Sequence, residues 1–135
     1  MKKPTTRHHS RVLAMQALFQ WHFTQETPAQ LLQEFLAEHA TDEKTIAYCR
    51  TLFLETIEAV EGIDKKLSQH IPRKLSSVNP IELAILRLAV NELDHHPEVP
   101  PKVVINEAIE LAKTYGASDG YKFVNGVLDA LRRAC

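Results

Sequence analysis

The chain has 135 residues, 44% of them hydrophobic and 24% charged, the make-up of one globular domain spanning 1–135 with length enough for a core. No apolar run reaches the ~18 residues of a membrane span, and glutamines and a histidine interrupt VLAMQALFQWHF after the basic N-terminus, which also lacks a small-residue cleavage site, so no secretion signal is expected there. The net charge of −1 hides an uneven distribution: residues 1–25 carry +4, residues 26–64 carry −7 and residues 65–75 carry +4. A basic arm of this kind fits a phosphate backbone, or a solvated tail.

Helical periodicity dominates, without convincing strand alternation. A first helix is expected over about residues 6–25. Val12, Met15, Phe19 and Phe23 line one stripe, and Ala14, Ala17, Leu18 and Trp21 another, which predicts burial on two sides. Thr27-Pro28-Ala29-Gln30 reads as a capping box opening a second helix with Leu31, Leu32, Phe35 and Leu36 inside. Thr41 or Asp42 caps a third, which Gly62 is expected to end. A short fourth carries Ile63, Leu67 and Ile71 and stops at Pro72. Asn79-Pro80 starts a fifth, IELAILRLAVNEL, apolar nearly all round and therefore central. Pro100-Pro101 begins a sixth, closed by Gly116, and a seventh runs over about 118–134. The fold class is all-α, a bundle of about seven helices.

Enzymatic signatures fail on inspection. The four glycines form neither GxGxxG nor a P-loop, and HExxH and GxSxG are absent. His8-His9 and His95-His96 are adjacent pairs whose side chains diverge on a helix, so no metal site is assigned. Glu107 and Glu110 share a helix face, but no nucleophile or base accompanies them. No catalytic residue and no cofactor are assigned. Cys49 and Cys135 form no CxxC, consistent with free thiols in the cytoplasm.

The arm has an RNA logic of its own. Lys3, Arg7 and Arg11 are spaced by four and share one helix edge, where they could follow phosphates. His8 and His9 add hydrogen bonds, and charge below neutral pH. Phe19, further along, either stacks on an unpaired base or packs in the core.

INEAIELAKTYG followed by KFVNGVLD, with RVLAMQALFQW near the start and VPPKVVINEAIELAK, resembles the NusB family of bacterial transcription antitermination factors. The resemblance covers nearly the whole chain and is weakest over residues 26–75. It implies an all-helical fold of two small helical subdomains and no enzymatic activity. It implies binding of the boxA element of ribosomal RNA leader transcripts together with a small-subunit ribosomal protein acting as Nus factor E. The pair joins the antitermination complex on RNA polymerase, with no membrane involved. The RNA surface it implies is Lys3, Arg7, His8 and Arg11, with Phe19 in the family's usual tyrosine place, and Asp119, Lys122 and Phe123 at the start of the last helix as the far wall of a groove. Asn125 and Gly126 are assigned to packing.

The chain departs from the family pattern twice. Arg7-His8-His9 stands where relatives carry a run of arginines, and Ser76-Ser77 stands where they carry acids near the partner's docking point. Glu82 and Arg87 then remain as partner contacts, and reversing Glu82 is expected to weaken the complex without unfolding the protein. Rival readings are a protein-only helical adaptor, a ribosome-assembly factor with weak RNA binding, and the N-terminal domain of a ribosomal RNA cytosine methyltransferase. The last would require a nucleotide-binding region, and none follows before Cys135.

Overall fold

The computed structural model describes residues 6–39 and 41–134. Seven α-helices follow one another among these: α1 Thr6–Thr24, α2 Pro28–Glu38, α3 Glu43–Glu58, α4 Val60–Ser68, α5 Pro80–His95, α6 Pro101–Tyr115 and α7 Gly120–Arg133. A single 3-10 turn, Leu75–Ser77, precedes α5. Helices α1, α2 and α3 pack together, as do α5, α6 and α7. The packing of α1 and α3 on α5 joins the two groups, and α4 touches α3, α5 and α7.

Local chemistry sets most helix starts. Asp42 caps α3 by accepting from the Thr45 backbone N–H and hydroxyl, both at 2.9 Å. These bonds hold its carboxyl below the usual aspartate range. Asn79 accepts from the backbone N–H groups of Ile81 (2.9 Å) and Glu82 (3.3 Å), and Pro80 supplies the first helical residue of α5. Such a cap contributes about 1 kcal/mol. The capping box expected at Thr27 does not form: Thr27 makes no side-chain cap bond, and Pro28 starts α2 by its fixed φ. Gly62 lies inside α4 rather than ending α3, which stops at Glu58. Gln25 ends α1 in the left-handed region, with φ 53°, and its side-chain amide donates to the carbonyls of Trp21 (3.2 Å) and His22 (3.3 Å).

The buried side chains form one contiguous cluster drawn from all seven helices. Helix α5 is buried along every residue from Glu82 to Glu92, as its all-round apolar pattern requires. A leucine as enclosed as Leu86, 0% exposed, contributes about 1.5–3 kcal/mol through removal of its surface from water. Helix α1 buries Ala14, Met15, Ala17 and Leu18, while Phe19 and Trp21 are half-buried and Phe23 is 62% exposed. The stripe of Val12, Met15, Phe19 and Phe23 therefore fades toward the C-terminal end.

Asn125 and Gly126 depart from the packing role expected of them. Both are exposed, and a Cβ on Gly126 would meet nothing within 4 Å. Gly126→Ala should therefore stabilise the protein by about 1 kcal/mol, the helix-propensity difference, read as a higher urea midpoint. A lower midpoint would mean that the position is crowded.

Candidate nucleic-acid interface

The N-terminal end of α1 lies against α3, the C-terminal end of α5, and α6. Lys3 lies outside the described residues. Arg7 and Arg11 do share an edge, both beside the Tyr48 ring, but only Arg11 is buried. Arg7 is exposed, and its guanidinium lies 4.1 Å over the ring of Tyr48. Arg11 is 4% exposed and grips Glu92 with two nitrogens, at 2.9 and 3.0 Å from Nε and 2.6 Å from Nη2. Its Nη1 is 3.8 Å from Glu107. Burial works against the charge on Arg11, but the hydrogen bond and charge of Glu92, with the charge of Glu107, raise its pKa above the ordinary value. Arg11 is thus a structural ion pair in this fold, and the phosphate contact expected of it would require the pair to open. His8 is half-buried, with Nδ1 2.7 Å from Glu107.

Glu92 is the hub of a larger network. The Tyr48 hydroxyl donates to it at 2.8 Å. Burial, reinforced by Glu92, raises the Tyr48 pKa far above its usual value. The Tyr48 ring meets His96 edge-on, with centroids 5.7 Å apart. His96 sits 2.7 Å from Glu55 and 3.0 Å from Glu98. Burial disfavours its charged form, yet these two carboxylates outweigh burial and raise its pKa. His95 turns away, with Nδ1 3.2 Å from the Asn91 carbonyl, so the adjacent histidines do not converge.

Asp119, Lys122 and Phe123 lie by the other end of α5. Gly120, at the head of α7, abuts the Glu82 carboxylate, ten residues from Glu92 and so about 15 Å along the helix. The far wall expected beside the basic arm is therefore a separate patch. Lys122 and Asp119 are exposed and 3.7 Å apart. Phe123 is half-buried under Arg73, whose guanidinium is 5.0 Å from the ring centre. Tyr121 has Lys113 at 5.2 Å and Lys122 at 6.0 Å. Phe19 belongs to neither patch. It meets Phe23 edge-on at 5.0 Å and lines a cavity of about 330 Å³ with Met15, Phe35, Ile81 and Tyr115.

Glu82 and Arg87 are not surface charges. Glu82 is 4% exposed and accepts from the Ala117 backbone N–H at 3.0 Å, tying α5 to the α6–α7 turn. Arg87 is 9% exposed and donates twice to Asp64, each at 2.9 Å, pinning α4 to α5. His22, beside Arg87, has its pKa lowered by burial and then by the Arg87 charge. The Glu82 reversal expected to spare the fold would instead place a lysine against the α6–α7 turn.

Residues 8–133 match the model of the NusB family. The chain belongs to the NusB family. A transcription antitermination protein NusB of Coxiella burnetii is 46% identical over 126 residues, covering 93% of this chain and 91% of the relative. One from Shewanella amazonensis is 49% identical over 129 residues, covering 96% of each. Among solved structures, the antitermination factors NusB and NusE in complex with dsRNA give a TM-score of 0.89 at 28% identity, covering 96% of this chain and 98% of the matched one. NusB of T. maritima gives 0.87 at 35% identity, covering 98% and 93%. The two-group helical fold is thus the NusB family's, as the motifs implied.

Tyr48, Arg73 and Glu92, which build the patches, escaped sequence reading, as did the pairing of Glu107 with His8 and Arg11. Glu107 and Glu110 divide their roles. Glu107 holds His8 and Arg11, while Glu110 is exposed, 4.0 Å from Lys113. Cys49 is fully buried, and burial pushes its thiol up to about 12. No helix among the described residues is long and apolar enough to cross a membrane.

Proposed function

We propose that this protein is an antitermination adaptor. It binds boxA-type RNA of ribosomal RNA leader transcripts together with NusE, the small-subunit ribosomal protein, and joins the antitermination complex on RNA polymerase in the cytoplasm. The observation that carries the reading is the likeness along almost the whole chain to a NusB solved with NusE and dsRNA. The role is one of binding without catalysis: Cys49 is a protonated core thiol, and Glu107 is held by His8 and Arg11. Of the sequence-derived residues, Arg7, Lys122 and Phe123 keep the exposure or stacking that RNA contact needs.

Fluorescence anisotropy with a boxA-like RNA and a scrambled control, with and without NusE, tests this across a salt series. The expected result is selective binding that NusE strengthens, with log K falling against log salt by about 0.7 per phosphate neutralised. The burial of Arg11 thins the basic arm and favours the protein-only adaptor as a second reading. Absence of selectivity and of a salt slope, with NusE present, would select that second reading.

A further inference from the structure

Between the first turn of α1 and the exposed face of α3 lies a groove of about 470 Å³, walled by Thr6, Arg7, Lys44, Ala47, Tyr48 and Thr51. The α3 residues recur at i, i+3, i+4 and i+7, so they form one stripe. The opposite stripe, Thr45, Cys49, Leu52, Phe53 and Thr56, is core. The groove's stripe has a different make-up: an exposed cation at one end, a small residue beside an aromatic ring in the middle, and a hydroxyl at the other end. Ala47 leaves space that a larger side chain would fill.

The aromatic floor is fixed. The Tyr48 hydroxyl is tied to Glu92 at 2.8 Å, its ring edge meets His96, and the Arg11 guanidinium is 6.0 Å from the ring centre. Arg7 sits over this ring, its guanidinium carbon 4.1 Å from the centroid. Both a tyrosine ring and a guanidinium plane are surfaces on which an unpaired base stacks. The nearby acids are already engaged: Glu92 and Glu107 with Arg11, and Glu98 with His96. Among the described residues, Arg7 and Lys44 are the cations that line the groove, with Thr6 and Thr51 hydroxyls beside them. An aromatic floor between two cations suits a nucleotide, with its base on the ring pair and its phosphates at the charges.

We propose that the groove between α1 and α3 is a base-stacking site for single-stranded RNA, with Arg7 on Tyr48 as the platform and Lys44 as a phosphate contact. This rests on the RNA-binding reading above and extends the interface to α3, which that reading leaves out.

The test uses the full chain with NusE and a boxA-like RNA carrying 2-aminopurine at each position in turn. Wild type, Arg7→Lys and Lys44→Ala are compared by anisotropy and base fluorescence, with thermal unfolding as the check on folding. Stacking should quench one position in the wild type and leave it bright in Arg7→Lys. Arg7→Lys keeps the charge but not the plane, so it should bind about tenfold more weakly with an unchanged salt slope. Lys44→Ala should reduce the slope by about 0.7. An abasic nucleotide at the quenched position should make wild type and Arg7→Lys bind alike. Wild-type RNA binding that neither substitution alters, with no position quenched, would overturn the groove and leave the adaptor function standing. Failure of the wild type to bind RNA would overturn both.

Discussion

Replacing Arg11 with alanine should destabilise the protein by about 3–5 kcal/mol, seen as a lower urea midpoint. Arg11 and Glu92 are 4% and 1% exposed, so removing the guanidinium strands a carboxylate in the core. Tyr48 would remain as a hydroxyl donor to that carboxylate but cannot neutralise it. The structure would respond by admitting water or protonating Glu92, and either costs free energy. The double substitution Arg11→Met with Glu92→Leu should recover most of the loss, because a buried pair repays little beyond its own desolvation. RNA affinity of folded Arg11→Ala protein should fall only as far as Arg7 shifts, since the two share Tyr48. The opposite pattern, unchanged stability with a lost phosphate contact in the salt slope, would show Arg11 facing solvent as its spacing from Arg7 suggested.

That contrast shows how far the sequence could be read. Helix positions were legible because their signals are local: Asn79-Pro80, Pro100-Pro101 and Asp42 act within one turn. The apolar surround of α5 announced its central place. The spacing of Lys3, Arg7 and Arg11 gave a shared edge but not the direction of that edge, which depends on Glu92, eighty-one residues away from Arg11. One available signal went unused. A helix apolar on all sides that also carries Glu82, Arg87 and Glu92 must bury those charges, and buried charges need partners. Arg11, Asp64 and the Ala117 N–H are those partners. Read as exposed, Glu82 and Arg87 resemble docking contacts. Tyr48 and Arg73 fall in the stretch where the family resemblance is weakest, and their stacking partners are distant in sequence.

Gly120→Ala should cost about 2–4 kcal/mol, from overpacking and from loss of a hydrogen bond to a carboxylate. A Cβ at Gly120 would lie 2.1 Å from Glu82 Oε2 and 2.6 Å from its Cδ, so the carboxylate would have to move. The buried Glu82 side chain is holding the Ala117 N–H, and displacing it frees the turn that aims α7. Gly116 serves the same contact: its φ of −85° needs no glycine, but a Cβ there would meet the Ala112 carbonyl at 2.8 Å and Glu82 at 3.1 Å. The two glycines that bracket the α6–α7 turn are therefore small to admit a carboxylate. A double-mutant cycle isolates the claim. In a Glu82→Ala background, Gly120→Ala should cost under about 1 kcal/mol, because the colliding group is gone, giving a coupling of at least about 1 kcal/mol. Additive costs would mean that Gly120 is required for another reason and that Glu82 does not position α7. Since Lys122 and Phe123 follow on the first turn of that helix, the same variant should also weaken RNA binding while leaving the Arg7 patch intact.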